Sequence, residues 1–118
     1  MVHGQSEVEA ALARDDPNEL MDLVVDLATD GPDRDFAETC CVRLARHRNA
    51  MVRGNALLGF GHLARRFGRL DGNRVKRLVD VGLHDSSPYV RENARSAVED
   101  LATFLSWRFE LPPTHETP

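Results

Sequence analysis

Cysteine is scarce in this chain of 118 residues, and the two that occur, Cys40 and Cys41, are adjacent. Neighbours on a helix point about 100° apart, so the pair is not placed for an ordinary disulfide. With no third ligand nearby they do not make a zinc site either, and small buried apolar residues are the expectation. Long apolar runs are missing as well. Nothing resembles a membrane span, and "MVHGQSEVEAALARDD" has no apolar core of about seven residues behind a basic start, which argues against a secretory signal. The expected location is the cytoplasm, with no membrane partner. No stretch sustains a period-two alternation of apolar and polar residues, which excludes a β-rich fold. Lysine is nearly absent, one against fourteen arginines, a bias that hints at a GC-rich genome and carries no mechanism.

What is present is a soluble composition, 42% apolar and 29% charged. A chain of this length buries roughly two-thirds of its unfolded surface, enough for a core without staples. One helical domain is expected over residues 6–110, with residues 1–5 a flexible N-terminus and 111–118 a flexible tail. The punctuation is helical throughout. Ser6 with Glu9 reads as a capping box, and Asp16 before Pro17 reads as an N-cap followed by proline at the first helical position, with Gly31 as the stop. A third helix follows Pro32, with Phe36, Ala37, Cys40, Cys41, Leu44 and Ala45 inward. A fourth begins after Asn49, a fifth near Asp71, and a sixth at Ser87 with Pro88 in its first turn. Six helices with short connections give an all-α fold of three antiparallel hairpins.

The stretch "GNALLGFGHLARRFG" carries four glycines and raises the alternative of a phosphate-cradling loop. An internal repeat settles the matter. At a spacing of 38 residues, Val52, Arg53, Asn55, Ala56, Leu63 and Ala64 meet Val90, Arg91, Asn93, Ala94, Leu101 and Ala102. Gly54, Gly59 and Gly61 fall opposite Glu92, Ala97 and Glu99, ordinary helix residues, so the first copy is a helix too. Neither the strand before it nor the lysine-serine end of a phosphate loop is present. Gly59 lies near the inward stripe, where a missing side chain admits a neighbouring helix. Gly61 is expected to face outward, at about 1 kcal/mol relative to alanine.

"LHDSSPYVRENARSAVEDLATFL" and, less completely, "ARHRNAMVRGNALLGFGHLA" resemble the HEAT family, in its pattern of leucine, aspartate, proline, Val-Arg, alanine and leucine. The resemblance covers about residues 33–108 and implies a short α-solenoid whose stacked hairpins share one core. It also implies that Arg53 and Arg91 bond an aspartate or carbonyl in an adjoining turn, with Asp33, Asp71 and Asp85 as candidates. The stretch "VRGNALLGFGHLARRFGRLD", with "DLATFLSWR", is similar to small bacterial HEAT-like proteins of toxin immunity. That likeness implies a non-enzymatic protein that binds and neutralises a cognate toxin.

Charge is segregated along the chain: residues 1–40 carry a net −9, residues 41–77 a net +9 and residues 78–118 a net −4. The basic run Arg65, Arg66, Arg69, Arg74, Lys76 and Arg77 suggests nucleic acid as the alternative partner. Only Phe67 interleaves it, and the protein is acidic overall, so nucleic acid is the weaker reading. His62 has no acid, thiol or second histidine beside it by helical spacing, although Asp100, its repeat counterpart, becomes a neighbour if the helices stack. No catalytic residue, metal or cofactor is expected. The candidate partner-binding residues lie opposite the buried stripe: Met51, Leu58, His62 and Arg65 on the fourth helix, and Tyr89, Glu92, Glu99 and Asp100 on the sixth, with Trp107 a turn beyond. Leu58 and Trp107 have a second reading, as local packing against the C-terminal tail or a chain end. Arg65 is expected to face solvent. A larger solenoid with a deep site, as in HEAT-like DNA glycosylases, exceeds what three hairpins offer.

The repeat alignment places Val52, Ala56, Phe60, Leu63, Val90, Ala94, Val98 and Leu101 in one core. Leu101→Ala should then destabilise by about 2–4 kcal/mol through the cavity it leaves. Chemical denaturation of parent and variant measures this, and a change under about half a kilocalorie would place Leu101 on the surface.

Overall fold

Short polar side chains set the helix starts. The computed structural model describes residues 4–113. Asp16 accepts from the Asn18 N–H at 3.1 Å and Pro17 follows it, opening α2 (Pro17–Asp30). Asp33 caps α3 (Arg34–Leu44) through the Phe36 N–H, and Asn49 caps α4 (Ala50–Phe67) through the N–H groups of Met51 and Val52. Asp71 opens α5 (Gly72–Gly82), and Ser87 with Pro88 opens α6 (Pro88–Leu105). Gly68 closes α4 in the left-handed conformation that its missing Cβ makes inexpensive. The first helix differs from expectation. It runs Gln5–Arg14 (α1) and is capped at Gly4, whose N–H donates to Glu7 Oε1 at 3.2 Å, so Ser6 and Glu9 lie inside it.

Six helices and no strand are found among the described residues, an all-α fold. The pairs α1–α2, α3–α4 and α5–α6 touch, and so do α2–α4, α4–α6 and α3–α5. The body is elongated, 49 × 28 × 22 Å. All eight residues aligned as core are buried, Val98 the least so at 8% exposure. Ala37, Cys40, Cys41 and Leu44 are buried as expected, whereas Phe36 and Ala45 are only partly covered at the edge of α3. After α6, residues 106–113 are non-helical and turn back along α5. Trp107 and Phe109 pack against the core, and Pro112 O accepts from Arg95 at 2.9 Å. The expected ends at 1–3 and 114–118 lie outside the described residues.

Helix α4 touches α2, α3, α5 and α6, and its glycines face these neighbours. A Cβ on Gly54 would lie 2.6 Å from the Tyr89 ring, and one on Gly59 would lie 2.9 Å from Cys41 Sγ. Gly61 is buried, contrary to the outward placement expected for it. A Cβ there would stand 2.5 Å from Asp100 Oδ2 and 3.1 Å from Asp100 Cβ. Its stability cost as a helical glycine is the condition for seating Asp100 of α6.

Gly54→Ala should therefore destabilise by about 1–3 kcal/mol despite alanine's better helix propensity, because the Tyr89 ring, tethered through its hydroxyl to Asn55, stands where the new Cβ would go. Adding Tyr89→Ala should recover much of the loss. A double-mutant cycle by denaturant melts checks this, and additive effects would place the ring elsewhere.

Candidate protein-binding surface

The outer positions of α4 and α6 come together on one face. Met51 is 39% exposed, Glu92 and Glu99 are exposed, and Leu58, His62, Tyr89 and Asp100 are partly covered. Tyr89 is committed to the fold: its hydroxyl donates to Asn55 Oδ1, and Asn55 Nδ2 donates in turn to Met21 O at 3.3 Å. This chain of bonds ties α6 to α4 and α4 to α2.

Arg65 faces solvent as expected, 56% exposed, but it is not free: it pairs with Asp100 at 3.4 Å and lies 5.7 Å over the ring of Phe104. Both partners stand on α6, so a reversed charge at position 65 would meet Asp100. His62 neighbours this pair. Burial pushes its pKa below the ordinary value, Arg65 adds to that, and Asp100 opposes both. These surroundings favour the neutral imidazole, and the nearby carboxylate is bonded to Arg65. Phe104, 43% exposed, joins the face and was not among the sequence candidates. Trp107 is separated from it: its indole lies 3.6 Å from where a Cβ on Gly72 would stand, at the start of α5.

The repeat arginines hold turns. Arg53 Nε and Nη2 donate to Asp85 Oδ2 and Oδ1, both at 3.0 Å, and Nη1 donates to His47 O and Arg48 O. Arg91 Nη1 donates to Asp85 O at 2.7 Å. Of the three candidate aspartates, Asp85 is the acceptor, while Asp33 and Asp71 cap helices. Burial pushes the Asp85 carboxyl up. The Arg53 hydrogen bond, the Ser87 N–H and the charges of Arg53 and Arg91 outweigh that and hold it below its ordinary value. A second tie joins the α1–α2 turn to the α3–α4 turn. His47 Nε2 donates to Asp15 at 2.6 Å, its Nδ1 accepting from the Asn49 N–H, and Arg48 also bonds Asp15.

The basic run is dispersed. Arg66 donates to Ala28 O and Gly31 O at the end of α2, satisfying carbonyls that the helix leaves open. Arg74 bonds Glu38, and Lys76 lies 5.5 Å over Phe109. Glu38, 2% exposed, was missed by sequence reading. It accepts from Arg34 at 2.7 Å, from the Asp71 N–H at 3.1 Å and from Arg74 at 3.3 Å. Its signal was faint: one acid beside Ala37 in an otherwise apolar register. Burial pushes the Cys40 thiol up to about 11 and the fully enclosed Cys41 higher still, so neither is a ready nucleophile. Among the described residues no group of three or more metal-ligating side chains converges, and no helix is long and apolar enough to cross a membrane. No protein-family model, curated protein or solved structure matches the chain.

Because the folded pKa of Asp85 is depressed, its stabilisation is present above the unfolded value near 4 and is lost as pH falls through the folded one. Asp85→Ala should cost about 2 kcal/mol at pH 7. Melting profiles between pH 7 and pH 2 should converge for parent and variant at the acid end, and a constant gap would disprove the charge pairing.

Proposed function

We propose that the chain is a short HEAT-like solenoid that binds another protein and has no catalytic role. The α4–α6 face is its contact surface, and the domain of a cognate toxin is the favoured partner, in the manner of a bacterial immunity protein. One observation carries the surface assignment. Met51 and Phe104 stand exposed on a face whose other open positions are charged or polar, Arg65, Glu92, Ser96, Glu99 and Thr103. Apolar anchors inside a charged rim are the anatomy of a protein interface. Toxin immunity draws on the sequence resemblance and on the charge segregation, which suits electrostatic steering. The nucleic-acid alternative draws less support, since Arg65, Arg66, Arg74 and Lys76 each have a partner within the chain.

The test uses the partner that co-purifies with the native protein. Glu99→Arg, at an exposed position, should weaken that complex at least about tenfold while leaving the melting temperature within about 2 °C of the parent. Raising salt should slow association more than it speeds dissociation, because rim charges act on the encounter rate. Arg65→Glu is a poorer reporter than the sequence suggests, because it also breaks the Asp100 pair. Unchanged binding by Glu99→Arg and by Phe104→Ala would rule out this face.

A further inference from the structure

The repeat is faithful to individual atoms, and it leaves one set of donors unused. Arg53 Nη1 donates to His47 O in the turn of its own hairpin, and Arg91 Nη1 donates to Asp85 O, the same bond 38 residues on. Arg53 then directs its Nε–Nη2 edge at both carboxylate oxygens of Asp85, in the turn of the next hairpin. The corresponding edge of Arg91 has no hydrogen-bond partner among the described residues. The Asp85 carboxylate gives it no hydrogen bond and already accepts three, two from Arg53 and one from the Ser87 N–H.

Arg95 stands one turn further along α6, on the same side as Arg91. It donates to a carbonyl, Pro112 O, and to no carboxylate. The two arginines line a groove of about 520 Å³ together with His84, Asp85, Ser86, Pro112 and Pro113, and the Asp85 carboxylate there is already paired with Arg53. A guanidinium edge in this arrangement matches a planar carboxylate bidentately, as Arg53 demonstrates in the same molecule.

We propose that Arg91 and Arg95 form an open carboxylate receptor at the α5–α6 end of the molecule, filled by an aspartate or glutamate on a turn of the protein partner. The partner's acid takes the place that Asp85 takes on Arg53, and so continues the line of turn contacts into the complex. The inference rests on the protein-binding reading and adds a second contact, apart from the α4–α6 face.

The test takes the ¹⁵N-labelled full chain and follows its arginine Nε–Hε resonances. The probe is a synthetic peptide, Gly-Leu-His-Asp-Ser-Ser-Pro-Tyr, which copies the turn that Arg53 binds; a control peptide carries Asn for Asp. The Asp peptide should move the Arg91 and Arg95 resonances and leave Arg53 in place, and the Asn peptide should move none. Arg95→Gln, which leaves the Asp85 contacts untouched, should weaken peptide binding about tenfold. Equal shifts from both peptides, no shift at all, or acetate binding as tightly as the peptide would overturn the receptor. So would a dimer of this chain that Arg95→Gln dissolves, since the acid would then belong to a second copy. If the native partner responds to Glu99→Arg but not to Arg91→Gln or Arg95→Gln, the receptor fails while the α4–α6 reading stands. If it responds to the arginine changes alone, the receptor stands and that face fails.

Discussion

Close approach of backbones around α4 is the constraint on which the rest depends. One helix serves as neighbour to four others only if some of its positions carry no side chain, and Gly54, Gly59 and Gly61 supply them. Each costs helix propensity locally and returns packing against a neighbour: the Tyr89 ring and Asp100 of α6, and Cys41 of α3. The buried stripe of Val52, Ala56, Phe60 and Leu63 occupies the remaining inward circumference. The candidate face inherits its geometry from this. Asp100 reaches Arg65 because Gly61 lets α6 come close, and Phe104 is drawn beneath the same guanidinium.

Polar ties are laid over that apolar frame and fall at the turns. Asp15 joins the first two hairpin turns, Arg53 with Asp85 joins the second hairpin to the third, and Glu38 fastens α3 to the start of α5. A carboxylate as enclosed as Glu38 is tolerable only because its oxygens take three donors, two of them cationic. Two cations of the basic run are thereby tied to the fold while staying exposed, Arg66 on the end of α2 and Arg74 on Glu38.

How much of this was legible in the sequence follows from the range of each interaction. The starts of α2, α4, α5 and α6 were readable because Asp16-Pro17, Asn49, Asp71 and Ser87-Pro88 act on N–H groups two or three residues away. The core of α4 and α6 was readable because the 38-residue repeat tests one helix against another. The burial of Gly61 and the Asp100 partner of Arg65 escape the sequence for the opposite reason: a helical wheel gives the direction of a side chain but not what stands across from it. Trp107 follows its second reading, local packing, because the chain leaves α6 at Ser106 in a left-handed conformation and doubles back, which a wheel extended past the helix cannot follow. The alternation of Trp107, Phe109 and Leu111 that lines this returning segment is only five residues long, too short to register against the helical pattern.

The side-chain bonds between hairpins share a narrow span of sequence. Asp15 and His47 are 32 residues apart, as are Arg53 and Asp85; Asn55 and Tyr89 are separated by 34, and Arg66 and Ala28 by 38. Each joins a hairpin to the next one only. Local opening is easiest in an element with few packed neighbours and hardest in one enclosed by several. Among the described helices α1 touches only α2, while α4 is flanked on both sides. Amide protons are therefore expected to exchange with solvent fastest in α1 and slowest in the glycine-bearing middle of α4, although glycine is the residue least suited to helices after proline.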